Sequence, residues 1–132
     1  MILMASSIAD AAAASRDNHL TLRRVERQQH LIERLCTAAA RVPLGRLAEE
    51  FGVAERTIAR DISRLRHSGA PITVRAGRAG GAAIERSVPL GPITLDLPET
   101  AALIASLAAL GPTASQSAAS AMAKLTAALQ PE

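Results

Sequence analysis

A mainly α-helical fold carrying one small β-hairpin is what this sequence predicts, and three observations lead there. Residues 44 to 69 hold two short amphipathic segments joined across a glycine, a longer amphipathic segment precedes them, and a glycine-rich turn between two short apolar runs follows. In the first short segment Leu44, Leu47, Ala48 and Phe51 recur at helical spacing, and in the second Ile58, Ile62 and Leu65 do the same. The two stripes can close on each other, which is how a helix-turn-helix reads in sequence.

The elements follow in order. Leu22 to Ala39 is the expected first helix, with Val25, Leu31, Ile32, Leu35 and Ala39 inward and Arg23, Arg24, Arg27 and Arg34 mostly outward. Val42-Pro43 is an extended link, because proline restricts the residue before it to β or polyproline geometry. Such a link can pair with the later hairpin. Gly52 is placed to take a positive φ at the end of the second helix, and Val53 to plug the turn. Ala54 stands where an N-cap side chain would accept from the third helix, an omission worth about 1 kcal/mol. Gly69 and then Pro71 end that helix.

Ile72 to Arg75 and Ala82 to Arg86 read as paired strands around a tight turn at Ala76 to Gly81. The whole is a winged helix-turn-helix, three helices plus a small β-hairpin wing. Beyond it, Pro89, Gly91, Pro92 and Pro98 punctuate an extended stretch. Pro98 and Glu99 then suit the start of a helix over Ala101 to Leu110, which Gly111-Pro112 stops. A last helix, about Ser115 to Leu129, carries Ala118, Met122, Leu125 and Leu129 on one face. These two form a C-terminal helical hairpin through which the chain is expected to self-associate as a homodimer, burying the apolar faces, the alternative being a hairpin folded back on the winged helix. The expected organisation is a disordered or loosely helical extension over 1–20, the winged helix over 21–87, a linker over 88–97 and the two-helix segment over 98–132.

With the apolar stripe of residues 55–67 turned inward, Arg56, Thr57, Arg60, Asp61 and Arg64 are left facing outward. Planar guanidinium donors in a row on a helix suit phosphates and base edges in a major groove. Arg56, Thr57 and Arg60 are the candidate base or phosphate contacts and Arg64 a backbone contact, while Asp61 either orients Arg60 or Arg64 through a local ion pair or is only a surface acid. Arg46 on the preceding helix and Arg75 and Arg78 in the wing complete the candidate set.

The run GVAERTIARDISRLRHSGAPI, the Gly-rich hairpin at Ala76 to Ala82 and the segment PLGPITLDLPETAALIASLAAL, in that order, resemble the amino-terminal half of the bacterial WYL-domain transcription regulators. The resemblance covers roughly Leu22 to Leu129. It implies a DeoR-like winged helix-turn-helix and a DNA-binding role on double-stranded DNA, exercised as a sequence-specific regulator; repression is the default expectation, because blocking a promoter needs no polymerase contact. The chain departs from that pattern at two places: Ala54, where the family usually has Ser, and Ala82-Ala83, where an aromatic commonly follows the wing glycines. Because the sensing domain that names the family is not found after residue 129, an effector ligand is not expected. The competing reading is a winged-helix protein-interaction or dimerisation module, or a truncated regulator, whose DNA binding has decayed through those departures.

Composition agrees with a small domain. Hydrophobic residues make up 48% of 132, yet there is one Phe and no Trp or Tyr, so alanine fills much of a thin core. The net charge of +3 is unevenly spread. Arg16 to Arg86 holds fourteen Arg against eight acids, whereas Ser87 to Glu132 holds one Lys against three acids. A basic half coinciding with the helix-turn-helix is the electrostatic footprint of a phosphate backbone partner. No stretch is apolar enough for a membrane span or shaped like a signal peptide, and one cysteine, Cys36, fits a reducing cytoplasm. Cys36 is expected to be a small buried apolar residue. His19, His30 and His67 are scattered without ligand spacing, so no catalytic residue, metal or cofactor is expected.

Overall fold

The computed structural model describes residues 2–85, 90–111 and 114–131. Five helices and a two-stranded antiparallel sheet run in the order α1 (Ile2–Thr37), α2 (Leu44–Phe51), α3 (Glu55–His67), β1 (Ile72–Arg75), β2 (Gly81–Ile84), α4 (Leu97–Leu110) and α5 (Gln116–Ala128). This is the mainly helical, winged arrangement that the periodicities predict. The expected tail of the second strand, at Arg86, and the stop at Pro112 lie outside the described residues, as does Pro89.

One cluster holds the winged helix together. Leu31 and Leu35 of α1, Leu47 and Ala48 of α2, Ile58 and Ile62 of α3, and Val42, Ile72 and Ala82 of the hairpin base are buried in contact. Leu44, Phe51, Val53 and Leu65 pack at its edge. Each fully buried Leu or Ile contributes roughly 1.5–3 kcal/mol, so a core this small depends on its polar fastenings as well. Three of the residues assigned inward differ in degree: Val25 and Ile32 are half-buried, and Ala39, just past the end of α1, is exposed.

Both interhelical stops use glycine. Gly52 adopts φ 66°, and the amides of Gly52 and Val53 donate to the Glu49 and Ala48 carbonyls at 3.3 and 3.1 Å. At the end of α3, Gly69 has φ 105°; its amide reaches the Arg66 carbonyl and that of Ala70 reaches Leu65, the paired bonds of a Schellman motif. The link also behaves as expected. Val42 bridges Ala82 antiparallel, with amide-to-carbonyl distances of 2.9 and 2.8 Å, adding a short third strand to the hairpin.

The first helix starts well before Leu22. Residues 2–37 form one continuous helix, about 54 Å long at 1.5 Å per residue, and residues 7–23 are exposed along its length. Nothing in Ala9 to Ala14 breaks a helix, and alanine is the strongest helix former, so the chain has no reason to stop there. Cys36 is exposed rather than buried. It follows Leu35 on the side of α1 that turns toward α5, where small Ala118 leaves an open cavity of about 450 Å³ against Ser115 and Ser117.

The C-terminal helices pack on each other and on α1, the intramolecular alternative for this segment. Asp96 caps α4 in a reciprocal box with Glu99, at 2.8 and 2.9 Å, with Pro98 in the first turn. Ser115 caps α5 by accepting from the Ala118 amide. The α5 terminus is tied to α1 twice: Ser115 Oγ donates to Gln29 Oε1 at 3.2 Å and the Ser117 amide to Glu33 Oε1 at 2.8 Å. That amide bond, helped by the Ser117 and Ser115 side chains, holds the Glu33 carboxyl below its ordinary range.

Candidate nucleic-acid interface

The rotation of α3 is set by what it buries. Ile58 is 0% and Ile62 3% exposed, with Leu65 half-buried beside them. That leaves Arg56, Arg60 and Arg64, spaced four apart, in one exposed row, with Thr57 half-buried next to it. Among the described residues none of the three arginines forms a hydrogen bond or ion pair, so the row is an uncompensated positive edge.

Asp61 does not belong to that row. Its side chain is 0% exposed, and Arg27 of α1 donates to it twice, Nε to Oδ2 at 2.6 Å and Nη2 to Oδ1 at 3.1 Å. Gln28 Nε2 adds a third bond to Oδ1 at 3.1 Å. An acid assigned to the surface by residue type is therefore the peg that fixes α3 to α1. The spacing carried the signal, since Asp61 lies three residues after Ile58 and next to Ile62, on the flank of the apolar stripe. Arg27 is correspondingly not a surface cation. The Asp61 hydrogen bond raises its pKa above the ordinary arginine value.

A second bidentate pair fastens α2. Arg34 Nε and Nη2 donate to the Glu50 carboxylate at 2.8 and 3.1 Å, which lowers the Glu50 pKa and raises that of Arg34. Arg46, one turn before Glu50, is exposed. The start of α3 matches its sequence: Ala54 is extended, its side chain gives the first turn no hydrogen bond, and only its carbonyl accepts, from Thr57 and Ile58.

The wing stands beside α3, with β1 packed against it. Ile72 pairs with Ile84 and Arg75 with Gly81, so the turn projects Arg78 past the sheet, and Arg75 and Arg78 are both exposed. Gly81 explains the close return of the chain. It has φ 125°, and a Cβ there would run into the Val42 carbonyl. Sequence reasoning missed the residue that ties link to wing. Arg41 Nη1 donates to the Thr73 and Gly81 carbonyls at 2.9 and 3.0 Å, and Nη2 to Thr73 Oγ1 at 3.0 Å. No periodicity marks Arg41; its position just before an extended Val-Pro link was the only available hint.

Three of the basic side chains are thus structural fasteners, while Arg46, Arg56, Arg60, Arg64, Arg75 and Arg78 are exposed on α2, α3 and the wing. A surface of that charge concentrates polyanions. Among the described residues, no group of three or more His, Cys, Asp or Glu is arranged to hold a metal ion, and no helix is long and apolar enough to cross a membrane.

Residues 27–81 match the family described as HTH domain. The matched span opens at Arg27, the anchor of α3, and closes at Gly81, the first residue of β2, so it contains the fastened helix-turn-helix and most of the wing. No solved structure matches the chain.

Proposed function

We propose that this chain is a sequence-specific DNA-binding transcription regulator of the DeoR-like kind found in bacterial WYL regulators, acting in the cytoplasm as a homodimeric repressor. The observation that supports it best is the row Arg56, Arg60 and Arg64, exposed and without a partner among the described residues, on a helix held from behind by the Arg27–Asp61 bonds. In this reading α3 enters the major groove, with Arg56, Thr57 and Arg60 at bases or phosphates and Arg64 on the backbone. Arg46 touches phosphate from α2. Arg75 and Arg78 reach the flanking backbone or minor groove from the wing. Asp61 acts only by positioning. The role is one of binding, with no reaction catalysed.

One observation favours the competing reading of a protein-interaction module: α3 begins at Ala54 without a side-chain cap, which weakens the turn that would meet bases. Binding of the purified chain to DNA from its own upstream region, compared with a scrambled duplex of equal length, separates the two. The regulator reading expects at least about a 1000-fold preference for the upstream duplex. Equal, weak binding to both overturns it.

A further inference from the structure

The long first helix leaves the domain at one particular end of α3. Arg27 donates to Asp61, in the middle of α3. Earlier on the same side of α1, Leu20 and Arg23 line a groove of about 510 Å³ with Phe51, Gly52 and Val53, the turn that leads into α3. Moving back from Arg27 to Arg23 on α1 therefore goes with moving from the middle of α3 to its N-terminal end. Residues 7–19 continue past that end and are exposed. It is the end at which the proposed function places the base contacts.

The side of α1 that passes there is basic. At about 100° per residue, Arg16, Leu20, Arg23 and Arg27 fall within an arc of roughly 60°, so the face that clasps α3 also presents Arg16 and Arg23 further out. Both are exposed and without a partner among the described residues, and exposed His19 stands at the edge of the same side. Leu20, between them, lines the groove with Phe51 and Val53. Asp10 and Asp17 lie about 100° or more round the helix from Arg16, with Arg24 on their side, and Glu26, which borders the basic face, lies 3.9 Å from His30.

We infer that the N-terminal stretch of α1 is a second DNA-contacting element, an arm that lays Arg16 and Arg23 on the sugar-phosphate backbone of the duplex that α3 enters. The inference rests on the DNA-binding reading and deepens it. Charge complementarity selects the partner, because two unpaired guanidinium groups on one side of a helix match a row of phosphates. Their spacing fits as well. Arg16 to Arg23 is seven residues, about 10 Å along the helix, and phosphates on one strand recur about every 3.4 Å along the duplex axis, so the arm covers roughly three further base pairs. Backbone contacts position a protein without reading sequence, so the arm adds affinity and salt dependence and leaves specificity to α3.

Fluorescence anisotropy of the full chain on upstream and scrambled duplexes, over a salt series, tests the arm. Arg16→Ala with Arg23→Ala changes two exposed helix positions to the strongest helix former, so the fold is expected to be kept. The slope of log affinity against log salt is expected to flatten by about two for each bound protomer, with the preference for upstream DNA unchanged. Arg24→Ala with Lys124→Ala removes the same charge away from this face and is expected to flatten the slope by less than half as much. On upstream duplexes trimmed from the ends, the wild type is expected to need about three more base pairs than the Arg16/Arg23 variant to reach full affinity. Equal flattening by the two pairs overturns the inference, since net charge alone then accounts for it. So does a wild-type slope and footprint in the Arg16/Arg23 variant, which would leave the basic face to an acidic protein. Loss of upstream preference in that variant, with its helical circular dichroism intact, would overturn the backbone role by placing the arginines at bases. Weak, equal binding of both duplexes by the wild type removes the regulator reading and the arm with it, whereas a wild type that prefers upstream DNA keeps that reading whatever becomes of the arm.

Discussion

Removing Arg27 is the most informative perturbation of the scaffold, because the two partners of its pair are unequally buried. Asp61 is 0% exposed and receives three hydrogen bonds, whereas the Arg27 side chain keeps 22% of its surface in water. In Arg27→Ala the carboxylate stays buried with only Gln28 as a donor, and breaking a buried pair in this way costs about 3–5 kcal/mol. In Asp61→Ala the freed guanidinium can swing to solvent, so the loss approaches the net worth of the charge-assisted bonds, about 2–3 kcal/mol. Replacing both, as Arg27→Met with Asp61→Leu, removes the charges together and should lie within about 1.5 kcal/mol of wild type. Urea unfolding followed by helical circular dichroism measures all three. The order expected is Arg27→Ala worst, Asp61→Ala next and the double variant mildest, with strong coupling between the sites. Single losses below about 1 kcal/mol, or a double variant whose loss equals the sum of the singles, would refute the role given to this pair.

Other outcomes follow from the same geometry. Ala54→Ser should stabilise the protein by about 1 kcal/mol by capping α3, read as a higher urea midpoint at unchanged slope. Gly81→Ala should cost about 1–3 kcal/mol from its backbone conformation alone, and more from the contact with the Val42 carbonyl; amide exchange at Val42 and Ala82 should speed up with it. Acid should loosen α5 from α1. The Glu33 pKa is depressed in the fold, so its contribution is fully present above the ordinary value of 4.5 and is lost as pH falls through the folded one. Protection of the Ser117 amide, its exchange rate compared with the intrinsic rate at the same pH, should therefore fall on acidification, and Glu33→Gln should abolish that pH dependence.

Where structure is governed by neighbours in sequence, it was legible in advance. The stripes of α2 and α3, the glycine stops at Gly52 and Gly69 and the missing cap at Ala54 all follow from local spacing and local φ preferences. Contacts made across the fold were not. Asp61 was turned outward because it is charged, although its spacing from Ile58 put it on the buried flank, and its partner Arg27 lies 34 residues away. Arg41 is equally unmarked, because its acceptors are main-chain carbonyls that belong to no side-chain pattern. Cys36 was placed inside on residue type, yet its burial depended on how large a residue α5 would bring over it. Among the candidate contacts, the charge row on α3 was visible as periodicity. Sorting arginines that fasten the fold from arginines that face outward required the tertiary structure.

The proposal that α3 reads DNA is tested most directly by the salt dependence of binding. Fluorescence anisotropy of the chain on upstream DNA, from low to physiological salt, should give a steep linear fall of log affinity with log salt. Arg60→Ala should flatten that slope by about one if the residue meets phosphate, or cost about 1–3 kcal/mol and relax specificity if it meets a base. An affinity indifferent to salt, or an Arg60→Ala variant indistinguishable from wild type in both affinity and slope, would contradict the account.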